Sequence, residues 1–194
     1  MTIISKILIS PYSPEWAATF QKLKDIYESA FSNSILSVEH VGSTSVEGLA
    51  AKPIIDIDIV IENKTMLPQI IIALKKLGYY HRGDLGIEDR EAFLRKSDRT
   101  PLDGAGTSWM KHNLYVCPKD SISLKNHLLL RDHLRKHPDK AKQYGELKMK
   151  LAAEFPFDID KYIEGKTVFI AEMLKEQGFD QEALEKIREQ NKAI

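Results

Sequence analysis

Cysteine is nearly absent from this chain: Cys117 is the one thiol in 194 residues, so no intramolecular disulfide can form. The amino terminus also lacks a basic-then-apolar signal pattern, and the expected location is the cytoplasm. Long hydrophobic runs are missing too. No apolar stretch approaches the roughly 20 residues of a spanning helix, which argues against an integral membrane protein. Charge of one sign is not in excess: 28 Lys and Arg balance 28 Asp and Glu, and the formal net charge is zero. Nothing in the bulk electrostatics therefore asks for duplex nucleic acid as a partner. One cysteine and six scattered histidines offer no zinc-ligand pair at a recognised spacing. Neither an internal repeat nor a low-complexity segment is present.

What remains is enough to build a core. With 43% hydrophobic and 29% charged residues, the composition suits one globular unit of mixed structure. "SPEW" opens a helix, since Ser13 can cap free amides and Pro14 sits where a missing N–H costs nothing. Trp16, Phe20, Leu23, Tyr27 and Ala30 then recur at steps of three and four along one apolar face. "ILSVEHV" reads as a short strand, "IIDIDIVI" as a stronger one, and Met66, Ile70, Leu74 and Leu77 as a helix stopping at Gly78. "GYYHRGD" and "KHNLYVC" read as two more strands. Residues 83–109 carry glycine, proline and charge with little periodicity and are expected to form a long, partly ordered excursion such as an active-site flap. From Asp120 the pattern is helical, with breaks at Pro138, Pro156 and Gly178 and a charged helix from Gln181. The expected fold is α+β (mixed α/β): a small sheet core over 1–118, with a helical part over 119–194 packed on it as one compact unit.

One stretch carries chemistry. In "HVGSTSVEGLAAKPIIDIDIVI", side-chain alternation puts Asp56 and Asp58 on one face of a strand and Ile55, Ile57, Ile59 and Ile61 on the other. The two Cα atoms stand roughly 6–7 Å apart, close enough for both carboxylates to meet one divalent ion. A half-exposed edge strand would show the same alternation. The turn before it favours function, because Gly42 and Ser43 permit close backbone approach and the Ser43, Thr44 and Ser45 hydroxyls can grip phosphate oxygens. A phosphate cradle followed by two metal carboxylates is the pattern of phosphoryl-group chemistry, with Mg2+ or Mn2+ bridging protein and triphosphate.

Gly42-Ser43 followed by Asp56-x-Asp58 on a strand resembles the nucleotidyltransferase superfamily signature. More closely, "EHVGSTSVEGLAAKPIIDI" resembles the GrpB family, and the likeness continues through "RGDLGIEDREAF", "HNLYV", "LLLRDHLRKHP" and "EGKTVFI". The resemblance implies a nucleotidyltransferase-like small mixed sheet with flanking helices and a carboxy-terminal helical part completing the cleft. It implies no particular reaction. Two departures stand out. Glu47 replaces a proline common in the family, and the third carboxylate that active nucleotidyltransferases bring from a neighbouring strand is not evident. "KHNLYVC" offers Lys111, His112 and Asn113 there, so His112 becomes the candidate base, its imidazole titrating near neutrality. A structural histidine is the other reading. A carboxylate from the excursion, Asp84 or Glu91, is the remaining candidate.

An anionic substrate needs cations. Lys52 lies just before the aspartate strand, Arg82 and Arg90 flank the excursion, and Arg131 and Lys166 lie in the helical part. Each can also be a solvated surface charge; the segments carrying the resemblance favour function for Lys52, Arg82 and Lys166. "GKT" at Gly165–Thr167 is not a P-loop, since Asp160 stands where its first glycine belongs. His127, His133 and His137 read as part of a solvated helical face. Trp109 reads as a core anchor and Cys117 as packing. The leading expectation is a protein that binds a nucleoside triphosphate with Mg2+ on Asp56 and Asp58 and transfers a nucleoside monophosphate to a small-molecule acceptor. The alternative is a non-catalytic module binding a nucleotide or a coenzyme A precursor, an accessory role suggested by relatives fused to a coenzyme A biosynthetic kinase.

Overall fold

The computed structural model describes residues 6–178 and 184–185. Helix α1 (Glu15–Phe31) begins where the Ser13 hydroxyl oxygen accepts from the Glu15 amide at 3.3 Å, with Pro14 needing no acceptor. Its buried face is Trp16, Leu23, Tyr27 and Phe31; Phe20 is half-buried and Ala30 exposed. Strands β1 (Ser37–Val41), β2 (Ile55–Ile61), β3 (Tyr79–His81), β4 (Glu91–Arg95) and β5 (His112–Pro118) form one sheet in the order β1-β2-β5-β4-β3. β2 and β5 run parallel and the other neighbours antiparallel. Helix α2 (Leu67–Lys76) connects β2 to β3 and ends before Gly78, whose φ of 94° suits glycine.

The β2 isoleucines meet Leu23 and Tyr27 of α1, Ile70 and Leu74 of α2, and Leu114 of β5 in the main core. Burial of each such side chain contributes about 1.5–3 kcal/mol relative to exposure, so this face settles which way β2 lies. The aspartates are thereby turned to the opposite face. Helix α3 (Ile122–Lys136) lies against β1 and β5 on that face, and α4 (Pro138–Glu154) and α5 (Ile159–Glu176) pack on α3 and on each other. The Ser121 and Asp158 side chains cap α3 and α5, and Pro138 opens α4 in its first turn. The breaks at Pro138, Pro156 and Gly178 fall where the sequence places them. Apart from residues 184 and 185, the charged helix expected from Gln181 lies outside the described residues.

The segment 83–109 departs from expectation. Instead of a flap it contributes β4, which bridges β3 and β5. Its remainder is pinned to the sheet edge: the Leu102 amide donates to Leu77 O at 2.8 Å, and the Trp109 indole to Pro101 O at 2.9 Å. Arg95 reaches the Met110 and Trp109 carbonyls. Glycine and proline mask the short strand in sequence because β4 is only five residues long. No helix among the described residues is long and apolar enough to cross a membrane.

Candidate functional site

Register assembles the site before any helix is considered. The parallel pairing sets Asn113 beside Asp56 and Tyr115 beside Asp58, and the antiparallel pairing sets Glu39 beside Asp58. Laterally paired residues share a sheet face, so two aspartates, a glutamate and an asparagine look toward α3. Gly42 follows β1 and takes φ 69°; a Cβ there would stand 2.3 Å from Asp56 Oδ2. Only glycine lets the turn close on that carboxylate.

Each carboxylate then meets a different partner. Asp58 is 0% exposed, and its Oδ2 pairs with His127 Nδ1 at 2.7 Å, leaving Oδ1 without a partner. Burial pulls the His127 imidazole down, but the Asp58 charge and hydrogen bond outweigh it, and its pKa rises above the ordinary value. Glu39 accepts from Arg131 Nη1 at 2.7 Å, and Arg131 also holds Asp132. Burial opposes ionisation of Glu39, yet Arg131 prevails and its pKa falls. Asp56 Oδ1 accepts from the Asn113 amide at 2.8 Å; burial is the dominant influence and raises its pKa.

Around Asp56 the free charge is positive. Lys52 and Lys166 approach the Tyr162 ring at 5.3 and 5.5 Å, and Lys148 lies 4.6 Å from the centre of Tyr144. Burial lowers the Lys166 amine to about 8, with Lys52 repelling and Asp56 attracting. Burial takes Lys148 to about 7, aided by Lys166 and opposed by Asp56. Lys52 is lowered by the same means. A pocket of about 150 Å³ opens here, lined by Gly42, Ser43, Asp56, His127, Tyr144 and Lys166 among others.

Several expectations are corrected. His112 is buried on the isoleucine side, beside Ile55; its Nε2 meets the Tyr79 hydroxyl at 2.6 Å and its Nδ1 the Met110 carbonyl at 3.0 Å. It cannot act on a ligand at Asp56, and burial lowers its pKa to about 4. Thr44 is buried, with its hydroxyl 3.0 Å from His40 Nε2 and 3.3 Å from Ile54 O, so it holds the turn rather than a substrate. Arg82 is exposed and lines a second pocket of about 260 Å³ beyond Asn113, with Leu94 and Tyr115. Arg90 is buried with its guanidinium 4.4 Å over the Tyr115 ring, at the Asp58 end. Arg131 lines the pocket but is occupied by carboxylates. His127 is no solvated residue, and His133 is buried against Gln177; only His137 is exposed as expected. Trp109 and Cys117 do pack as foreseen.

Neither excursion carboxylate supplies the third ligand. Glu91 pairs with Val116, putting it on the isoleucine side, where it binds His81 at 2.6 Å. Asp84 is exposed and accepts from the Gly86 amide. The register reveals Glu39 instead, which the alternation of "SVEHV" against "DIDIV" could have disclosed. Glu39 is already held by Arg131, Asp58 by His127, and lysines gather at Asp56. Among the described residues no three acidic, histidine or cysteine side chains converge to hold a metal ion. What the carboxylates offer a divalent ion is Asp56 and the unpartnered Asp58 Oδ1, a set that ligand phosphates and water would have to complete. Lys148 gave no sequence signal, since "ELKMK" reads as a solvated stripe.

A family model described as GrpB protein matches residues 6–176. The chain is 34% identical over 165 residues to the UPF0157 protein YqkA of Bacillus subtilis, covering 85% of this chain and 45% of YqkA. It thus spans less than half the length of that relative. It is 30% identical over 172 residues to the glutamate-rich protein GrpB of Alkalihalophilus pseudofirmus, covering 88% of this chain and 95% of that protein. The crystal structure of the conserved protein GrpB from Enterococcus faecalis superposes with a TM-score of 0.73 at 31% identity, over 92% of this chain and 98% of that one. With the aspartate strand, the Gly42 turn and the covering helices all inside the matched span, the chain belongs to the GrpB family.

Proposed function

We propose that this chain binds a nucleoside triphosphate through its phosphates, in the pocket between the Gly42–Ser43 turn and helices α3 to α5. The observation that carries this reading is the gathering of Lys52, Lys148 and Lys166 around Asp56 while Asp58 and Glu39 are neutralised by His127 and Arg131. Unpaired cations beside a glycine turn suit phosphate oxygens. The surplus of amines around Asp56 argues for the binding module over the transferase. Transfer of a nucleoside monophosphate to a small acceptor, with Mg2+ or Mn2+, would use Asp56 and the unpartnered Asp58 Oδ1, with His127 keeping Oδ2.

Thermal shift with each nucleoside triphosphate, with and without Mg2+ or Mn2+, tests this on the native chain and on Lys166→Met. A bound nucleotide raises the melting temperature by mass action, and at about 100 times Kd the gain is about 2.7 kcal/mol. The native chain should shift and Lys166→Met should not. If no nucleotide shifts the native chain at millimolar concentration, the reading fails. Pyrophosphate release that appears when a pool of small hydroxyl-bearing acceptors is added to these mixtures, and that is abolished in Asp56→Asn, would establish the transferase instead.

A further inference from the structure

The pocket holds more positive charge than its carboxylates neutralise. Asp58 and Glu39 are matched by His127 and Arg131, so among the described residues Asp56 is the carboxylate left to face Lys52, Lys148 and Lys166. Lys148 is the sharpest case. It is 2% exposed, and its Nζ has no hydrogen-bond partner. Its ring contact with Tyr144 sets it against a residue that lines the pocket. A buried ammonium without a counter-ion is among the costliest groups a fold can keep, and a surface lysine in its place would avoid the cost. Lys148 and Lys166 titrate near neutrality for this reason, at about 7 and about 8, and each repels a neighbouring amine.

Resting on the nucleotide-binding reading, we infer that Lys148, Lys166 and Lys52 form a metal-free cradle for the ligand's phosphates. The three amines supply the positive charge that a divalent ion supplies where three carboxylates converge. The ligand class that fits is a polyphosphate ester, since an entering polyanion would compensate several ammonium groups at once. Binding then draws protons onto the amines, and affinity falls as pH rises past their unliganded values. The other charged and titratable groups facing them are Asp56 from β2, Lys111 just before β5, His127 and Arg131 from α3, Tyr144 from α4 and Tyr162 from α5. Asp56 opposes the ligand, so its neutralisation should strengthen binding. A metal-dependent site would respond in the opposite direction.

The test is titration calorimetry of the native chain with ATP and with inorganic triphosphate, both in EDTA. Two buffers of different ionisation enthalpy are used at roughly pH 7.5 and 9.5, above the range near 6 where a terminal phosphate itself titrates. Both ligands should bind without metal, take up protons at the lower pH and bind at least about tenfold more weakly at the higher. Asp56→Asn should bind more tightly and Lys148→Met about tenfold more weakly. Lys142→Met, an exposed position on the same helix, should match the native chain. Should Lys148→Met fail to fold, proton uptake by the native chain decides the matter. Nucleotide binding that appears only when Mg2+ replaces EDTA, or that proceeds without proton uptake, overturns the cradle and leaves the nucleotide-binding reading standing. Absence of binding with and without Mg2+ overturns both.

Discussion

His127 and Asp58 are the residues on which the site's electrostatics turn. An aspartate with no exposed surface has an imidazole 2.7 Å away as its partner. Breaking a buried pair by removing one partner typically costs about 3–5 kcal/mol, well above the net worth of an exposed pair. Because the folded pKa of His127 lies above its unfolded value of about 6.5, its contribution is fully present below that value and is lost as pH rises through the folded one. His127→Ala should therefore destabilise the chain by several kcal/mol at about pH 6, with the difference shrinking at about pH 9. Urea melts of both proteins at the two pH values check it. A difference independent of pH would show that His127 acts by packing alone. Gly42 is the second decisive residue, since it alone permits Asp56 to sit against the turn.

At the scale of elements, the meeting of α4 and α5 places the lysines. Gly165 faces Leu151, and a Cβ there would lie 2.5 Å from Leu151 Cδ2. Alanine would gain up to about 1 kcal/mol of helix propensity, whereas overpacking a filled contact costs about 1–3 kcal/mol. Overlap wins here, because Leu151 is itself buried with Ile7, Ala152 and Tyr162 and has little room to yield. Gly165→Ala should lower stability by about 1–2 kcal/mol in chemical denaturation and weaken nucleotide binding, since the adjacent Lys166 moves with α5. An equal or more stable variant would refute the close contact. The glycine of "GKT" thus serves helix packing and not a phosphate loop. β4 shows the reverse problem at this scale: its pairing with β3 and β5, not its own five residues, makes it a strand.

Across the whole molecule, the pocket belongs to both halves of the chain. Val46 and Leu49 of the sheet half share a core with Leu134, Tyr144, Ile170 and Leu174 of the helical half. Gly145 leaves a Cβ position only 3.4 Å from Leu49 Cδ1, so α4 rests directly on the segment that leads into β2. A division near residue 118 would expose that shared core, and the two parts are expected to unfold together. Both tryptophans, Trp16 and Trp109, lie before residue 118, while α3, α4 and α5 hold much of the helix content. Tryptophan fluorescence and far-UV circular dichroism should therefore report the same denaturation midpoint. Helix loss that precedes the fluorescence change would show a separable carboxy-terminal domain.

Local pattern alone determined the α1 face, the alternation that aims Asp56 and Asp58 away from the isoleucines, and the glycine turn beside them. These follow from backbone periods of 3.6 and 2 and from steric limits within a few residues. The same period placed Glu39 on the aspartate face once β1 was paired, and placed His112 and Glu91 on the other. Tertiary structure decided the partners. His127 comes to Asp58 across 69 residues and Arg131 to Glu39 across 92, and neither distance leaves a trace in local spacing. Lys148 is the clearest instance. Its neighbours in sequence make it look solvated, and only the packing of α4 between the β1–β2 connection and α5 buries it, because burial depends on which surfaces meet and not on the residue that is buried.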